Sequence, residues 1–291
     1  MSEEKRQQGD LTEKNFDPGP YSMMQHLRIS REEKILNTGF DKWSSVEFRI
    51  NETVFRYVYE NEGSRWRIKT LFDKEPATLA WLNKFKTGEV FIDIGANVGM
   101  YSIWAAAMTG ARVIAFEPES QNYGMLNRNI CANGFHQNDQ VVAYCAAVMA
   151  RPEVSKLFVS ACSTGVSFND FGKRIEGRGT NFVQGSMAVS IDQLVSTGQI
   201  PIPQHIKIDV DGYEHLVVDG CRGVIESGAL KSILIEIDRA DPDHVAIVEY
   251  LGELGFTYSP DQVEAPRAMP IPSNATTRNY IFYKDPEYRV L

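Results

Sequence analysis

Residues 91–102 read Phe-Ile-Asp-Ile-Gly-Ala-Asn-Val-Gly-Met-Tyr-Ser. This is a strand, a tight Gly turn and a helix start, the unit found at the carboxyl edge of an open α/β sheet, where such sheets bind ligands. Gly95 and Gly99 allow a close approach of backbone to a ligand, and the free N–H groups of the helix start face it. Twenty-two residues beyond Gly95, Glu117 ends a second strand, Val113-Ile114-Ala115-Phe116-Glu117-Pro118. A carboxylate at that point can accept both hydroxyl protons of a ribose. The pair of motifs implies an adenosine-containing cofactor.

Outward from this block, short apolar strands alternate with helical stretches from Glu89 onward: VFIDI, RVIAFE, VVAYC, IKIDV and SILIEI, with helices ending near Thr109, Ala132, Glu226 and Leu254. Nearly continuous apolar strands of this kind imply a parallel sheet covered on both faces. Phe256-Thr257-Tyr258 and Asn279-Tyr280-Ile281-Phe282-Tyr283 flank a Pro-rich loop too polar for a helix, which predicts a closing hairpin and one antiparallel strand. Residues 160–187 are rich in Gly, Ser and Asn with little period, the pattern of an irregular insert on the substrate side.

The first 88 residues are organised differently. Residues 1–20 are charged and contain Asp17-Pro18-Gly19-Pro20, predicting a frayed tail. Residues 21–88 form an accessory segment: alternation from Val46 to Tyr59 around Asn51-Glu52 predicts a hairpin, and Pro76 opens an amphipathic helix that stops before Gly88. Arg65, Arg67 and Lys69 surround Trp66 and read as a solvated strand face, with docking of an anionic or glycan substrate as the functional alternative. The remaining 89–291 is the cofactor-binding domain.

The identity of the cofactor turns on the loop. A dinucleotide fold calls for G-x-G-x-x-G, and a pyrophosphate would be repelled by a neighbouring carboxylate. Here the loop is G-x-x-x-G with Asp93 two residues before it. S-adenosylmethionine carries no phosphate but carries an ammonium and a sulfonium, both of which an Asp favours.

DIGANVGMYS with FEPE, then HIKIDVDGYEHLVVDG, ILIEID and NYIFYK, resembles the FkbM-type family of S-adenosylmethionine-dependent O-methyltransferases, over roughly Glu89 to Lys284. The resemblance implies a Rossmann-like class I methyltransferase sheet of seven strands with the last antiparallel, and methylation of hydroxyl groups on sugars, lipid-linked glycans or polyketides. It implies that Asp93, Gly95, Asn97 and Gly99 line the methionyl end of the cofactor and Glu117 its ribose, with Ala96, Tyr101, Ser102 and Pro118 beside them. S-adenosylhomocysteine would be the product. Where the family usually has Glu after K-I-D-V, this chain has Asp211.

In Ile206-Lys207-Ile208-Asp209-Val210-Asp211, a period of two puts Lys207 and Asp209 on one face of a strand. Two charges there are costly unless paired or at the open edge of the sheet. Lys207 can pair with Asp209 or with Glu236 of the neighbouring strand. Alternatively Asp209 and Glu236 face the transferred methyl from adjacent strand ends, with Asp209 as base or hydroxyl orienter and Lys207 and Glu236 as partners. Asp211 and Glu214 resemble a capping box. His205, His215 and His244 are further candidate bases by their ordinary pKa. Asp209, Asp211 and Glu236 could ligate Mg²⁺ through oxygen, but no spacing demands a metal.

Composition limits the alternatives. The 291 residues are 43% hydrophobic and 23% charged, as in a globular protein. Lys plus Arg number 30 against 38 Asp plus Glu, a net charge of −8, so nothing draws the chain as a whole to nucleic acid or anionic lipid. A small-molecule or glycan acceptor suits this balance, and an RNA acceptor would need a local basic groove. Cys131, Cys145, Cys162 and Cys221 form no metal-ligand spacing and read as buried free thiols in a reducing, cytoplasmic setting. The longest apolar run, Val141 to Ala150, has ten residues where a membrane span takes about 20. A nicotinamide-dependent oxidoreductase on the same sheet and a non-catalytic cofactor-binding module are the competing readings.

Overall fold

The computed structural model describes residues 28–38, 41–265 and 276–291; the tail expected over 1–20 lies outside them. Three strands open the described chain: β1 (Ile29–Asn37), β2 (Lys42–Ile50) and β3 (Thr53–Tyr59), followed by helices α1 (Glu62–Lys69), α2 (Leu71–Lys74) and α3 (Pro76–Leu82). The expected hairpin is β2–β3. Ile50 pairs with Thr53 across the two-residue turn, and Asn51 takes the left-handed conformation, φ 51°, that Asn tolerates. β1 adds an antiparallel edge to β2.

The main sheet is built from β4 (Val90–Ile94), β5 (Arg112–Phe116), β6 (Val141–Tyr144), β11 (His205–Ile208), β12 (Ser232–Asp238), β13 (Thr257–Tyr258) and β14 (Thr277–Tyr283), in the order β13-β14-β12-β11-β4-β5-β6. β4, β5, β6, β11 and β12 run parallel, and β14 is antiparallel to both its neighbours. Alternate residues serve the two faces, as a strand period of two dictates. Phe91, Val113 and Leu234 pack with α3, α4 (Met100–Thr109) and α5 (Ser120–Ala132). Ile92, Ile114, Ile206 and Ile235 pack against α6 (Ile191–Ser196), α7 (Glu214–Asp219), α8 (Arg222–Glu226) and α9 (Pro242–Glu253). Phe48, Phe55 and Tyr57 of the first sheet belong to the same apolar cluster as Trp104 of α4, with ring contacts of 5.8 Å between Phe55 and Trp104.

Three sequence expectations change. The stretch 160–187 is not irregular throughout: it contains β9 (Asp170–Phe171) and most of β10 (Phe182–Val189), which join β7 (Ala147–Val148) and β8 (Glu153–Val159) in a second sheet ordered β7-β10-β8-β9. Gly185 and Ser186 obscured that strand, because cross-strand pairing to β8 and not intrinsic propensity holds it. The Pro-rich loop before β14 begins with a helical turn, α10 (Pro260–Glu264). Of the four free cysteines only Cys221 is buried; Cys131, Cys145 and Cys162 are exposed.

The turn after β4 is held by two glycines for different reasons. Gly95 has φ 79° and a Cβ there would lie 1.9 Å from the backbone oxygen of Asp209. Gly99, φ 84°, would meet the Leu126 Cδ1 at 2.4 Å. The close approach that requires Gly95 is therefore to the next strand's backbone. Gly95→Ala and Gly99→Ala carry equal left-handed strain of about 1 to 2 kcal/mol, yet only the second clash is relieved by a flexible side chain. Urea unfolding should show Gly95→Ala destabilised by about 2 kcal/mol or more beyond Gly99→Ala; equal losses would refute the backbone clash.

Candidate active site

The carboxyl ends of β4, β5, β11 and β12 open into a cavity of about 1270 Å³ whose wall includes Gly95, Asn97, Glu117, Pro118, Asp209 and Glu236. Two smaller cavities adjoin it. One, about 440 Å³, is lined by Ala96, Tyr101, Lys207 and Asp209 together with Arg67 and Lys74 of the accessory segment. The other, about 380 Å³, is largely apolar, with Phe116, Pro118, Ala146, Val148 and Leu157 around it.

Lys207 organises the centre. It is 1% exposed, its Nζ lies 2.8 Å from Asp209 Oδ2 and 4.0 Å from Asp93 Oδ1, and it sits 5.3 Å from the centre of the Tyr101 ring. Burial would lower its pKa, but the carboxylates of Asp209, Asp93 and Glu75 outweigh burial and hold it well above the usual lysine value. The expected Lys207–Asp209 ion pair is therefore formed. Glu75, which sequence reasoning passed over as the residue before a helix-opening Pro, accepts a hydrogen bond from the Tyr101 hydroxyl at 2.8 Å and pairs with Lys74 at 2.9 Å. Burial pushes Glu75 up, yet Lys74 and Lys207 bring it down to about 2.

Asp93 is 1% exposed and lines none of these cavities. Its Oδ2 accepts the Ser102 hydroxyl at 2.6 Å, and Oδ1 has no hydrogen-bond partner. Burial raises its pKa, opposed by Lys207 and the Ser102 hydroxyl. Asp93 and Ser102 thus lie beneath the turn and do not line these cavities. Gly99, packed against Leu126, shares their position behind the wall. Gly95, Ala96, Asn97, Tyr101, Glu117 and Pro118 all line the cavities.

Glu117 accepts the backbone N–H of Asn97 at 2.8 Å and of Glu119 at 2.9 Å. Burial nonetheless pushes it up to about 7. Glu236, on the wall beside Asp209, is driven above the ordinary Glu range by burial and by the Asp209 carboxylate, which favours its protonated, hydrogen-bond-donating form. Burial and Asp209 likewise push Asp211 up to about 6.

Asp211 does not cap α7. Tyr213 occupies that position, and Asp211, with φ 59°, instead accepts the backbone N–H of Phe168 at 2.7 Å. Glu214 reaches back to the N–H groups of Val210 and Gly212, each at 3.0 Å, which braces the turn carrying Asp209. The histidines stand apart from the cavity wall. His205 is stacked on Phe85 and bonded to Ser232 and Glu89, and His244 lies 3.2 Å from Glu214 Oε2.

A strap, residues 163–169, crosses the cavity. Asn97 Nδ2 and Asn122 Nδ2 each donate to Val166 O at 3.0 Å, and the Gly165 N–H donates to Asn122 Oδ1 at 2.7 Å. From the accessory side, Asn61 Nδ2 donates to the Ser163 and Thr164 hydroxyls, and Arg67 donates to Gly165 O and Ser167 Oγ, both at 2.7 Å. Arg65, Arg67 and Lys69 lie on helix α1, not on a strand face. Asn61 caps that helix and Ser64 completes the capping box, the signal that marks the segment as helical. Among the described residues no cluster of three His, Cys, Asp or Glu side chains could hold a metal, and no helix is long and apolar enough to cross a membrane.

The methyltransferase FkbM domain profile matches residues 93–258, more than half of the chain. The hexuronic acid methyltransferase AglP of Haloferax volcanii is 26% identical over 196 residues, covering 65% of this chain and 73% of that protein. Among solved structures, a methyltransferase FkbM from Methylobacillus flagellatus aligns with TM-score 0.46 at 16% identity, covering 68% of this chain and 44% of the other. A precorrin-6y C5,15-methyltransferase from Geobacter metallireducens aligns with TM-score 0.40 at 17% identity, covering 72% and 86%. The chain therefore spans less than half the length of the first of these structures.

Lys207→Met leaves Asp93 buried without its cation, a loss of about 3 to 5 kcal/mol. Asp93→Asn introduced alongside it should recover about 1 to 3 kcal/mol relative to additivity. A double-mutant cycle by urea unfolding measures this, and strict additivity would show that Lys207 is stabilised from elsewhere.

Proposed function

This chain belongs to the FkbM methyltransferase family, and from that premise we propose that its S-adenosylmethionine-dependent reaction is O-methylation of a sugar hydroxyl. The observation that carries the proposal is the cavity wall itself: Glu117 at the end of β5, and Asp209 at the end of β11 with Glu236 beside it in β12. A hexuronic acid methyltransferase among the relatives supports a sugar as acceptor.

The residues fit the cofactor. Glu117 is a buried carboxylate that accepts two backbone N–H groups and has the Asn122 side chain as a further partner, and its two oxygens keep lone-pair capacity for ribose hydroxyls. The apolar cavity beside Pro118 suits adenine. The cations Lys74 and Arg67 suit the carboxylate of the cofactor's amino-acid end. When bound, S-adenosylmethionine supplies an electrophilic methyl group on a sulfonium.

Asp209 is the proposed base. Its Oδ2 is fixed by Lys207, and its Oδ1 makes no protein hydrogen bond among the described residues and is left to accept the acceptor hydroxyl. Asp209 would take the proton that the acceptor hydroxyl gives up as its oxygen receives the methyl group, whose bond to the sulfonium sulfur breaks to leave S-adenosylhomocysteine. Glu236, being protonated, donates a hydrogen bond to a second acceptor oxygen without adding charge. Alignment of oxygen and methyl supplies up to about 7 to 11 kcal/mol in favourable analogues, and a placed base about 10² to 10⁴-fold.

Asp209→Asn should retain S-adenosylmethionine affinity within about threefold while turnover falls about 10²-fold or more; full turnover would remove Asp209 from this role. The ribose hydroxyls favour the ionised form of Glu117, so cofactor binding releases a proton from a group titrating at about 7. Affinity should rise with pH up to that point and level off above it. Calorimetry across this range is expected to show the slope in the native protein and a weaker, flat profile in Glu117→Gln.

A further inference from the structure

Two large aromatic rings remain unused by the reaction described above. Trp66 is 44% exposed and Phe168 is 61% exposed, and both line the main cavity. A single exposed ring is ordinary on a protein surface, but the backbone that carries Phe168 is not. It has φ 66°, a left-handed conformation that costs a bulky residue about 1 to 2 kcal/mol.

The surroundings enforce that conformation. The Phe168 N–H donates to Asp211 Oδ2 at 2.7 Å, and the Arg178 guanidinium lies 5.7 Å from the ring centre. Arg178 is itself tied to Asp170 Oδ1 at 2.8 Å and to Asp211 O at 2.7 Å. The result is an aromatic ring held outward at the cavity. Trp66 comes from helix α1, and the two segments are pinned by the bond from Arg67 to Ser167. Each aromatic residue is one position removed from that bond along its own chain segment.

We propose that Trp66 and Phe168 form the acceptor subsite, an aromatic pair that packs on the C–H face of a pyranose ring. This rests on the sugar-acceptor reading above and deepens it. A pyranose presents apolar C–H groups on its faces and hydroxyls around its edge. The two rings match the faces, while Asp209 and Glu236 on the same cavity wall match the edge. A flat nucleobase would also stack on these rings, but a chain of net charge −8 offers a polynucleotide no overall attraction. The aromatic pair belongs to segments outside the β4–β5 cofactor block, so acceptor choice is separable from cofactor binding.

The test uses the full chain saturated with S-adenosylhomocysteine, titrated with methyl β-D-glucopyranoside and methyl β-D-glucuronoside. Trp81 and Trp104 are fully buried, which leaves Trp66 the most exposed indole among the described tryptophans. A glycoside should quench emission saturably in the native protein and not in Trp66→Phe. Ligand-observed NMR should show Trp66→Phe binding the glycoside within about threefold of native, and Trp66→Ala and Phe168→Ala at least about tenfold more weakly. All three variants should keep S-adenosylhomocysteine affinity within about twofold by calorimetry.

Unchanged glycoside affinity in both alanine variants would overturn the subsite. So would displacement of the glycoside by adenosine or cytidine at lower concentration, which would assign the rings to a base. Methyl transfer to the same glycosides separates the two levels of the argument. Transfer with unchanged KM in the alanine variants would remove the subsite and leave the sugar acceptor standing. Absence of both binding and transfer in the native protein would overturn both.

Discussion

A buried lysine is the constraint around which this molecule is arranged. Lys207 lies in a strand otherwise made of Ile and His and is almost wholly shielded from water. An unpaired ammonium at that depth would cost several kcal/mol. Its partners come from separate parts of the chain: Asp93 is its register neighbour on β4, Asp209 follows it on its own strand, Glu75 precedes α3, and Tyr101 lies in the first turn of α4. Satisfying one cation therefore ties the accessory segment, the glycine turn and β11 to each other. Asp209, the base proposed above, is part of that arrangement, so its position is set by charge compensation as well as by the sheet.

The same economy of charge extends across the cavity. Five carboxyl groups, Glu75, Glu117, Asp209, Asp211 and Glu236, face or border it, and the surroundings shift Glu75 one way and Glu117, Asp211 and Glu236 the other. Lys74 and Lys207 hold Glu75 ionised. Burial raises Glu117 and Asp211 toward neutrality and drives Glu236 beyond it. Such divergence in neighbouring acids is what allows one to accept a proton while another donates a hydrogen bond. It also spares the cavity the repulsion that five simultaneous negative charges would impose.

The strap over the cavity joins the accessory segment to the βα frame. Asn97 and Asn122 hold Val166 from below, and Asn61 and Arg67 hold residues 163–167 from the accessory segment. Both Asn97 and Phe168 adopt positive φ, so strain is concentrated where the two halves of the cavity meet. Under the subsite proposed above, variation in these two segments would change the acceptor and leave the βα frame that carries Glu117 and Asp209 intact.

By itself the sequence determined the sheet and the residues of the turn after β4 and of the end of β5 that border the cavity. The D-I-G-A-N-x-G turn, Glu117 closing the next strand and the apolar strand runs are local patterns, because period, turn chemistry and spacing are set by residues close in the chain. Local pattern also put Lys207 and Asp209 on one face. It did not show that Asp93 and Ser102 lie beneath the turn, that Gly95 makes room for the Asp209 carbonyl, that Asp211 holds Phe168 and not a helix, or that Arg67 reaches the strap. Each of those depends on a partner tens of residues away or in another element: Ser167 for Arg67, Asp209 for Gly95, the Phe168 amide for Asp211. Only the tertiary structure decided them, since burial and long-range pairing, which fix ionisation, orientation and access, are properties of the folded neighbourhood and leave no period in the chain.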